Sequence, residues 1–421
     1  MKEQQDRMHG DGVYKWFALG LLFVAFFLHQ GTRQIFGAML PQIQGFFGVN
    51  RTEIGVVGTV FQLAYGLSLP FAGLAADLFG RKRMVVIGVA MFCGGIFLGG
   101  FAAGVGNLAL AYGLMNGSGQ AAYYPGMTSL VSQLHSDSRA TAFSIIQCGL
   151  YGGILICSVL SGWVAGMSEE AWRIPFWAFG GIGLAWAVVL ALLLRNTQPQ
   201  GGGAVARPSF REAFGAILPK RSVWLLTLAL GTMIYVDVGF KIWTPTFLRD
   251  SFSGLTSGAA ALHAVLWHYL GAFCGITAAA RVTDRFAASR RGLRMEINIL
   301  GLAVAAPFIF LMAKAGSLPL CCVAMGLFGF FRGVYDSNIL AALFDVVDPR
   351  YHATASSCML ACAATMGSAA PTVLGWIGDN ASLRSGFASL SLFYLVGAVA
   401  IAVASVFFLE NEYVGSGTSR A

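Results

Sequence analysis

Residues 16–40 read WFALGLLFVAFFLHQGTRQIFGAML, twenty-five positions in which Arg33 is the one formal charge. A helix needs roughly 20 apolar residues to cross a bilayer, and this stretch has length to spare. Eleven more hydrophobic runs follow, over 53–76, 84–104, 107–134, 138–166, 173–194, 223–249, 257–281, 295–314, 317–347, 353–378 and 386–409, with short polar breaks between them. The pattern predicts an all-α, polytopic membrane protein with twelve transmembrane helices.

Composition points the same way. Hydrophobic residues make up 57% and charged residues 11%, which excludes a soluble globular domain. The 54 Gly sit inside the apolar runs, where small side chains let helices approach closely. The first run is too long for a cleavable signal peptide. All eight Cys fall within predicted helices, so no disulfide framework is expected.

A net charge of +8 would suit a nucleic-acid partner, but its placement reports topology instead. With the N-terminus in the cytoplasm, nineteen of the 27 Lys and Arg fall on cytoplasmic loops and tails. Five fall outside: Arg51, Arg173, Arg249, Lys314 and Arg384. Arg33, Lys241 and Arg332 remain within the membrane. This is the positive-inside asymmetry. It predicts both termini in the cytoplasm, here of a bacterial inner membrane, and no nucleic-acid role.

The two halves repeat each other. An offset of 208 carries Trp16 to Trp224, His29 to Asp237 and Arg33 to Lys241, and one of 207 carries Asp77 to Asp284. An offset of 213 lays Ala140-Thr141-Ala142 on Ala353-Thr354-Ala355, and Gly162-Trp163 on Gly375-Trp376. The expected organisation is a six-helix unit over 1–195, a cytoplasmic linker over 196–222 and a second six-helix unit over 223–421. Parallel repeats of this kind place a substrate site between the units near the membrane midplane. Within the linker, Ser209 and Glu212 have the spacing of a capping box, and Phe210, Phe214 and Ile217 share one face. A short amphipathic helix on the membrane surface is expected there.

The loop after the second run reads Gly73-Leu-Ala-Ala-Asp77-Leu-Phe-Gly80-Arg81-Lys82-Arg83. It resembles the loop signature of the major facilitator superfamily, departing at Leu78, where a basic residue is usual. A degraded copy, Arg281-Val-Thr-Asp284-Arg285, follows the eighth run. The resemblance covers essentially the whole chain and implies a secondary transporter working by alternating access. It also implies a gating role for Asp77, Arg81 and Asp284, whose bridges would open and close the cytoplasmic side. Plain topological anchoring by the basic turn is the competing reading.

Gly31-Thr32-Arg33, the Gly117–Pro125 segment GSGQAAYYP and Trp243-Thr244-Pro245-Thr246 are similar to the anion:cation symporter family of hexuronate, galactonate, sialic-acid and vesicular glutamate carriers. That family carries acids where this chain has Thr32 and Gln120, and an Arg near Gly113. The resemblance therefore supports an anionic substrate better than the family's usual proton sites. It also places the first, fourth, seventh and tenth helices around the central pathway.

Ionisable groups at mid-membrane cost about 2.5–3.5 kcal/mol each by insertion scales, so those present are candidates for function. His29 and Arg33 lie four apart, as do Asp237 and Lys241, and Arg332 and Asp336, the last with Tyr335 and Asn338 beside them. Residues four apart share a helix face. Three bases face two acids, and Arg33 has no acid on its own helix. A guanidinium's planar fork suits carboxylate or phosphate, so Arg33 is the expected anchor of an anion, with His29, Lys241, Arg332, Tyr335 and Asn338 as further substrate contacts. Structural ion pairing is the alternative for the two pairs that contain an acid. Tyr65, Tyr124 and Tyr151, with Gln62, Tyr123 and Gln147, could hydrogen-bond a polyhydroxylated solute, or simply pack helices. By its distance from Arg33, Tyr65 matches a binding tyrosine of the sugar-acid carriers. Asp336 and Asp237 are the candidate proton-coupling groups. His268 reads as an interior histidine, and Asp345, Asp348 and Arg350 as a second gate or a solvated turn.

No phosphate-binding GxxxxGK[ST], HExxH or CxxC motif occurs, so neither an ATP-driven pump nor an enzyme is expected, and no cofactor or metal. The functional expectation is a proton-coupled symporter of a small organic anion, monomeric in the lipid. An anion exchanger, or a lipid, amphiphile or drug transporter of the same fold such as the spinster-like group, stays open.

Overall fold

The structure is a computed structural model that describes residues 2–135, 137–195, 210–286 and 292–414. Within them the first six membrane helices are α1 (Lys2–Phe47), α2 (Arg51–Phe79), α3 (Arg81–Gly99), α4 (105–134), α5 (Arg139–Val164) and α6 (Arg173–Leu193). A linker helix, Phe210–Ile217, precedes α7 (Arg221–Ser251), α8 (Ser257–Phe286), α9 (Leu293–Lys314), α10 (318–346), α11 (352–380) and α12 (383–412). No strand occurs among the described residues. A chain without water around it must satisfy its own backbone, and helices do this within one segment.

Eleven of these helices are long and apolar enough to cross a membrane. The twelfth, α4, is the most polar, and its core includes Asn116 and Gln120. It also contains an eight-residue π-helical segment, Ala109–Asn116, a distortion that concentrates at functional sites. Several expected boundaries move. Helix α1 runs through Pro41 instead of stopping before it, because proline is tolerated in membrane helices. Helix α10 breaks after Asp336 and resumes at Ile339. There Ser337 Oγ donates to the Val334 carbonyl at 2.9 Å, and Asn338 Nδ2 donates to Ser337 Oγ at 2.7 Å. These bonds take up polar groups that the break would leave bare. Helix α11 breaks between Gly367 and Ala370, just before Pro371, which lacks an N–H to continue the ladder.

The chain forms two compact units. The first comprises residues 1–49, 63–201 and 256–262, and the second 50–62, 202–255 and 263–421. In the first, α1 packs on α5, and α3 packs on both α4 and α6. In the second, α7 packs on α11, and α9 packs on both α10 and α12. The pairing scheme is the same, as the sequence repeat requires.

The repeated Gly-Trp pair explains why each unit contains the start of a helix from the other half of the sequence. Gly162 faces the first turn of α8, where an added Cβ would lie 2.7 Å from the Ser257 carbonyl oxygen. Gly375 faces the first turn of α2 in the same way, and a Cβ there would collide with the Arg51 carbonyl. Only glycine permits either approach.

All eight cysteines are free. Cys321 and Cys322 are buried packing residues. Gly80 joins α2 to α3 with φ at 90°, so the glycine of the loop signature is a backbone requirement. Elsewhere in the first unit, Lys15 donates to Asp137 at 2.6 Å. That bond holds the Asp137 carboxyl below its ordinary value.

Candidate functional site

Each unit carries its own set of buried polar groups. In the first, Arg33 on α1 is half-buried and lies over the Tyr65 ring of α2, with 4.6 Å to the centroid. Tyr112, on the π-helical stretch of α4, donates to the Arg33 carbonyl at 3.4 Å. One turn earlier, His29 is 1% exposed and enclosed by aromatic rings. Phe26 stacks on it at 5.7 Å, and Phe92 meets it edge-on at 5.5 Å. Tyr123 and Tyr124 close the other sides. Its Nε2 lies 3.3 Å from the Gln120 carbonyl. The Gln120 side chain donates to Asn116 at 2.9 Å. Of the tyrosines singled out, Tyr124 is exposed, Tyr65 and Tyr151 are half-buried, and Tyr123 is buried with its hydroxyl on the Leu22 carbonyl.

The second unit holds a charged cluster built from three helices. Asp237 on α7 bridges two bases. Its Oδ2 takes Lys241 Nζ at 2.7 Å, and its Oδ1 lies 2.8 Å from Arg332 NH1 of α10. The expected pair within α10 is looser, with Arg332 Nε 3.5 Å from Asp336 Oδ2. Both intrahelical pairs are present, and the Arg332–Asp237 contact joins them into one network, because a guanidinium has several faces and Asp237 offers a second oxygen. Arg332 NH1 also lies 2.7 Å from His268 Nε2 of α8. Lys241 extends over the Tyr269 ring at 5.9 Å. Tyr335 is fully buried, and Asn338 is engaged in the α10 break. The Asp336 side chain remains 26% exposed, against 15% for Asp237.

Of the expected gating residues, Arg81 opens α3 and is half-buried, while the side chains of Asp77 and Asp284 lie outside the described residues. So does Ser209 of the linker; the Glu212 side chain accepts a hydrogen bond from Tyr351 at 2.9 Å. Asp345 pairs with Arg294, and Asp348 caps the short turn at Arg350, so neither is a bare charge.

Two arrangements had no signal in the sequence. His268 and Arg332 are brought together by the packing of α8 on α10. In the second unit, Asp379 caps the start of α2, accepting from Arg51 N at 3.0 Å and from Thr52 N at 2.8 Å. Arg51 NH2 meanwhile reaches Asp250 at 2.7 Å. The described residues contain no cluster of three or more metal-ligating side chains.

The sequence profile described as Major Facilitator Superfamily matches residues 22–293. The chain belongs to the major facilitator superfamily. It is 23% identical over 321 residues to a probable 4-methylmuconolactone transporter of Cupriavidus pinatubonensis, covering 74% of this chain and 70% of that one. It is 24% identical over 400 residues to the hexuronate transporter of Bacillus subtilis, covering 90% of each. Its fold matches a crystal structure of a bacterial homolog to the human lysosomal transporter spinster, in an inward-facing and unoccupied conformation, with a TM-score of 0.84 and 20% identity. That match covers 96% of this chain and 99% of the other. The protein is thus an integral membrane transporter and not an enzyme.

Proposed function

We propose that this transporter carries a small organic anion with one carboxylate, of the sugar-acid or lactone-acid kind, in symport with a proton. The carrying observation is the Arg33 guanidinium, half-buried on a membrane helix over the Tyr65 ring, because its planar fork suits a carboxylate. In the second unit, Lys241 and Arg332 share the carboxylates of Asp237 and Asp336. A hexuronate carries one carboxylate, as 4-methylmuconolactone does, which supports the reading. Arg33 is the proposed anchor, with Tyr65 beneath it and His29, Tyr124 and Tyr151 on the same unit. Lys241, Arg332, Tyr335 and Asn338 serve from the second unit.

Asp336 is the proposed proton-coupling group. It is the more exposed and more loosely paired of the two acids, and its neutralisation would leave Arg332 to Asp237 alone. Asp237 acts with it by holding Lys241 and Arg332 together. Transport proceeds by alternating access of two six-helix units, residues 1–195 and 223–421, joined by the 196–222 linker. Asp77, Arg81 and Asp284 gate the cytoplasmic side. The basic loops support both termini in the cytoplasm, here of a bacterial inner membrane, and the proposed working form is a monomer.

A thermal-shift screen of the purified protein tests the substrate class. Galacturonate, glucuronate or 4-methylmuconolactone should stabilise it by about 2.7 kcal/mol at 100 times Kd, while neutral hexoses should not. Stabilisation by lysolipids or sphingoid bases alone would overturn the proposal in favour of an amphiphile carrier.

A further inference from the structure

His268 is the buried titratable group that the proposed cycle leaves without a task. It is 1% exposed in the middle of α8. Phe240 lies against its ring at 4.7 Å, Phe328 stacks at 5.0 Å, and Tyr269 meets it edge-on at 5.2 Å. At this level α8 and α10 approach so closely that a Cβ on Gly329 would collide with the His268 carbonyl. The ring therefore has one place to be. Its Nε2 sits 2.7 Å from Arg332 NH1.

A guanidinium donates and never accepts. Nε2 must then offer its lone pair, and the ring proton belongs on Nδ1, which has no hydrogen-bond partner among the described residues. NH1 of Arg332 is thereby held between His268 Nε2 and Asp237 Oδ1, while Nε faces Asp336. We propose that His268, neutral and protonated on Nδ1, is a positioning residue that seats Arg332 against Asp237. The proposal deepens the anion-carrier reading and rests on it for its consequence in transport, but the seating itself needs no substrate.

The groups around the ring are Asp237 and Lys241 from α7, Tyr269 on α8 itself, Arg332 and Asp336 from α10, and Tyr394 of α12, which packs on Phe328 at 5.7 Å. Among them an imidazole is the group whose ordinary titration falls between pH 5 and 8. A protonated Nε2 would set two cations against each other at hydrogen-bond distance. Arg332 would have to leave its seat, and the tie from α10 to α7 would go with it.

The test is 15N NMR of the solubilised, histidine-labelled full chain, with His268 assigned by loss of its signal in His268→Gln. At pH 7 the expected spectrum has a pyridine-type Nε2 and a pyrrole-type Nδ1 for His268. Arg332→Gln should shift that Nε2 signal and leave the other five histidines in place. A protonated Nε2, or an Nε2 that ignores Arg332→Gln, overturns the proposal. Galacturonate counterflow in proteoliposomes supplies the second readout. His268→Gln keeps an acceptor near the Nε2 position and should hold KM within about threefold. His268→Leu removes it and should raise KM about tenfold or more. Equal effects of the two substitutions would also overturn it. Absence of galacturonate counterflow in the unsubstituted protein would count against the substrate reading, and the tautomer result would still decide the role of His268.

Discussion

Arg332 reaches from α10 to Asp237 on α7 at 2.8 Å, closer than to Asp336, one turn away on its own helix, at 3.5 Å. This single relationship changes what the buried charges can do. Two separate intrahelical pairs would each be local. A network in which Asp237 holds both Lys241 and Arg332 ties two helices together and leaves Asp336 the loosest member. Any event that neutralises Asp336 or displaces Arg332 is then felt on α7 as well.

Loss of the Asp336 charge should uncouple transport without blocking it. In proteoliposomes, Asp336→Asn is expected to abolish uptake driven by an acid exterior while anion exchange stays within about threefold of the unsubstituted rate. Acid-driven uptake that persists undiminished in both Asp336→Asn and Asp237→Asn would remove both from the coupling role.

Asp237→Asn should act differently, on stability first. It leaves Lys241 and Arg332 facing each other with one carboxylate fewer, and breaking a buried pair costs about 3–5 kcal/mol. The expected outcome is a lower melting temperature that a bound anion restores by more than it stabilises the unsubstituted protein. Differential scanning fluorimetry with and without galacturonate measures it. An unchanged melting temperature would show that the bridge carries no stability.

The fold was legible because length and apolarity suffice to mark a spanning helix, and because duplicated residues such as Gly162 and Gly375 keep the same packing duty. The breaks in α10 and α11 were not, since Asn338 and Pro371 occur within otherwise continuous apolar runs. Of the site, residues four apart could be paired on paper, as Asp237 and Lys241 were. The contacts of Arg332 with Asp237 and His268 join residues 95 and 64 positions apart, and only the packing of helices sets such distances. Helix α4 hid its π-helical stretch for a related reason, because Ala109–Asn116 has no residue type that demands it.

Arg33 should fail as lysine. Arg33→Ala and Arg33→Lys are both expected to weaken anion binding by about 10- to 100-fold, since Lys keeps the charge but loses the planar two-point fork. Tyr65→Phe keeps the aromatic face under the guanidinium and should change affinity less than threefold, whereas Tyr65→Ala removes a contact of about 0.5–2 kcal/mol. Isothermal titration with the anion found by screening measures all four. Normal binding by Arg33→Ala would remove Arg33 from the site.

Gly375→Ala should be costly in a way that Gly20→Ala is not. A methyl at 375 collides with the Arg51 backbone, while nothing lies within 4 Å of a Cβ at Gly20. Overpacking costs about 1–3 kcal/mol, and here it also pushes Arg51 and Thr52 off the Asp379 cap. Melting temperatures of the two variants make the comparison. Equal values would mean that the start of α2 is not held as tightly as its hydrogen bonds indicate.

The most direct measurement is uptake of the identified anion into proteoliposomes under an imposed pH gradient, acid outside, with the membrane potential clamped. Accumulation above equilibrium that collapses with a protonophore, and that is lost in Arg33→Ala, is the result predicted for proton symport of an anion. Accumulation indifferent to both the gradient and Arg33 would contradict the account.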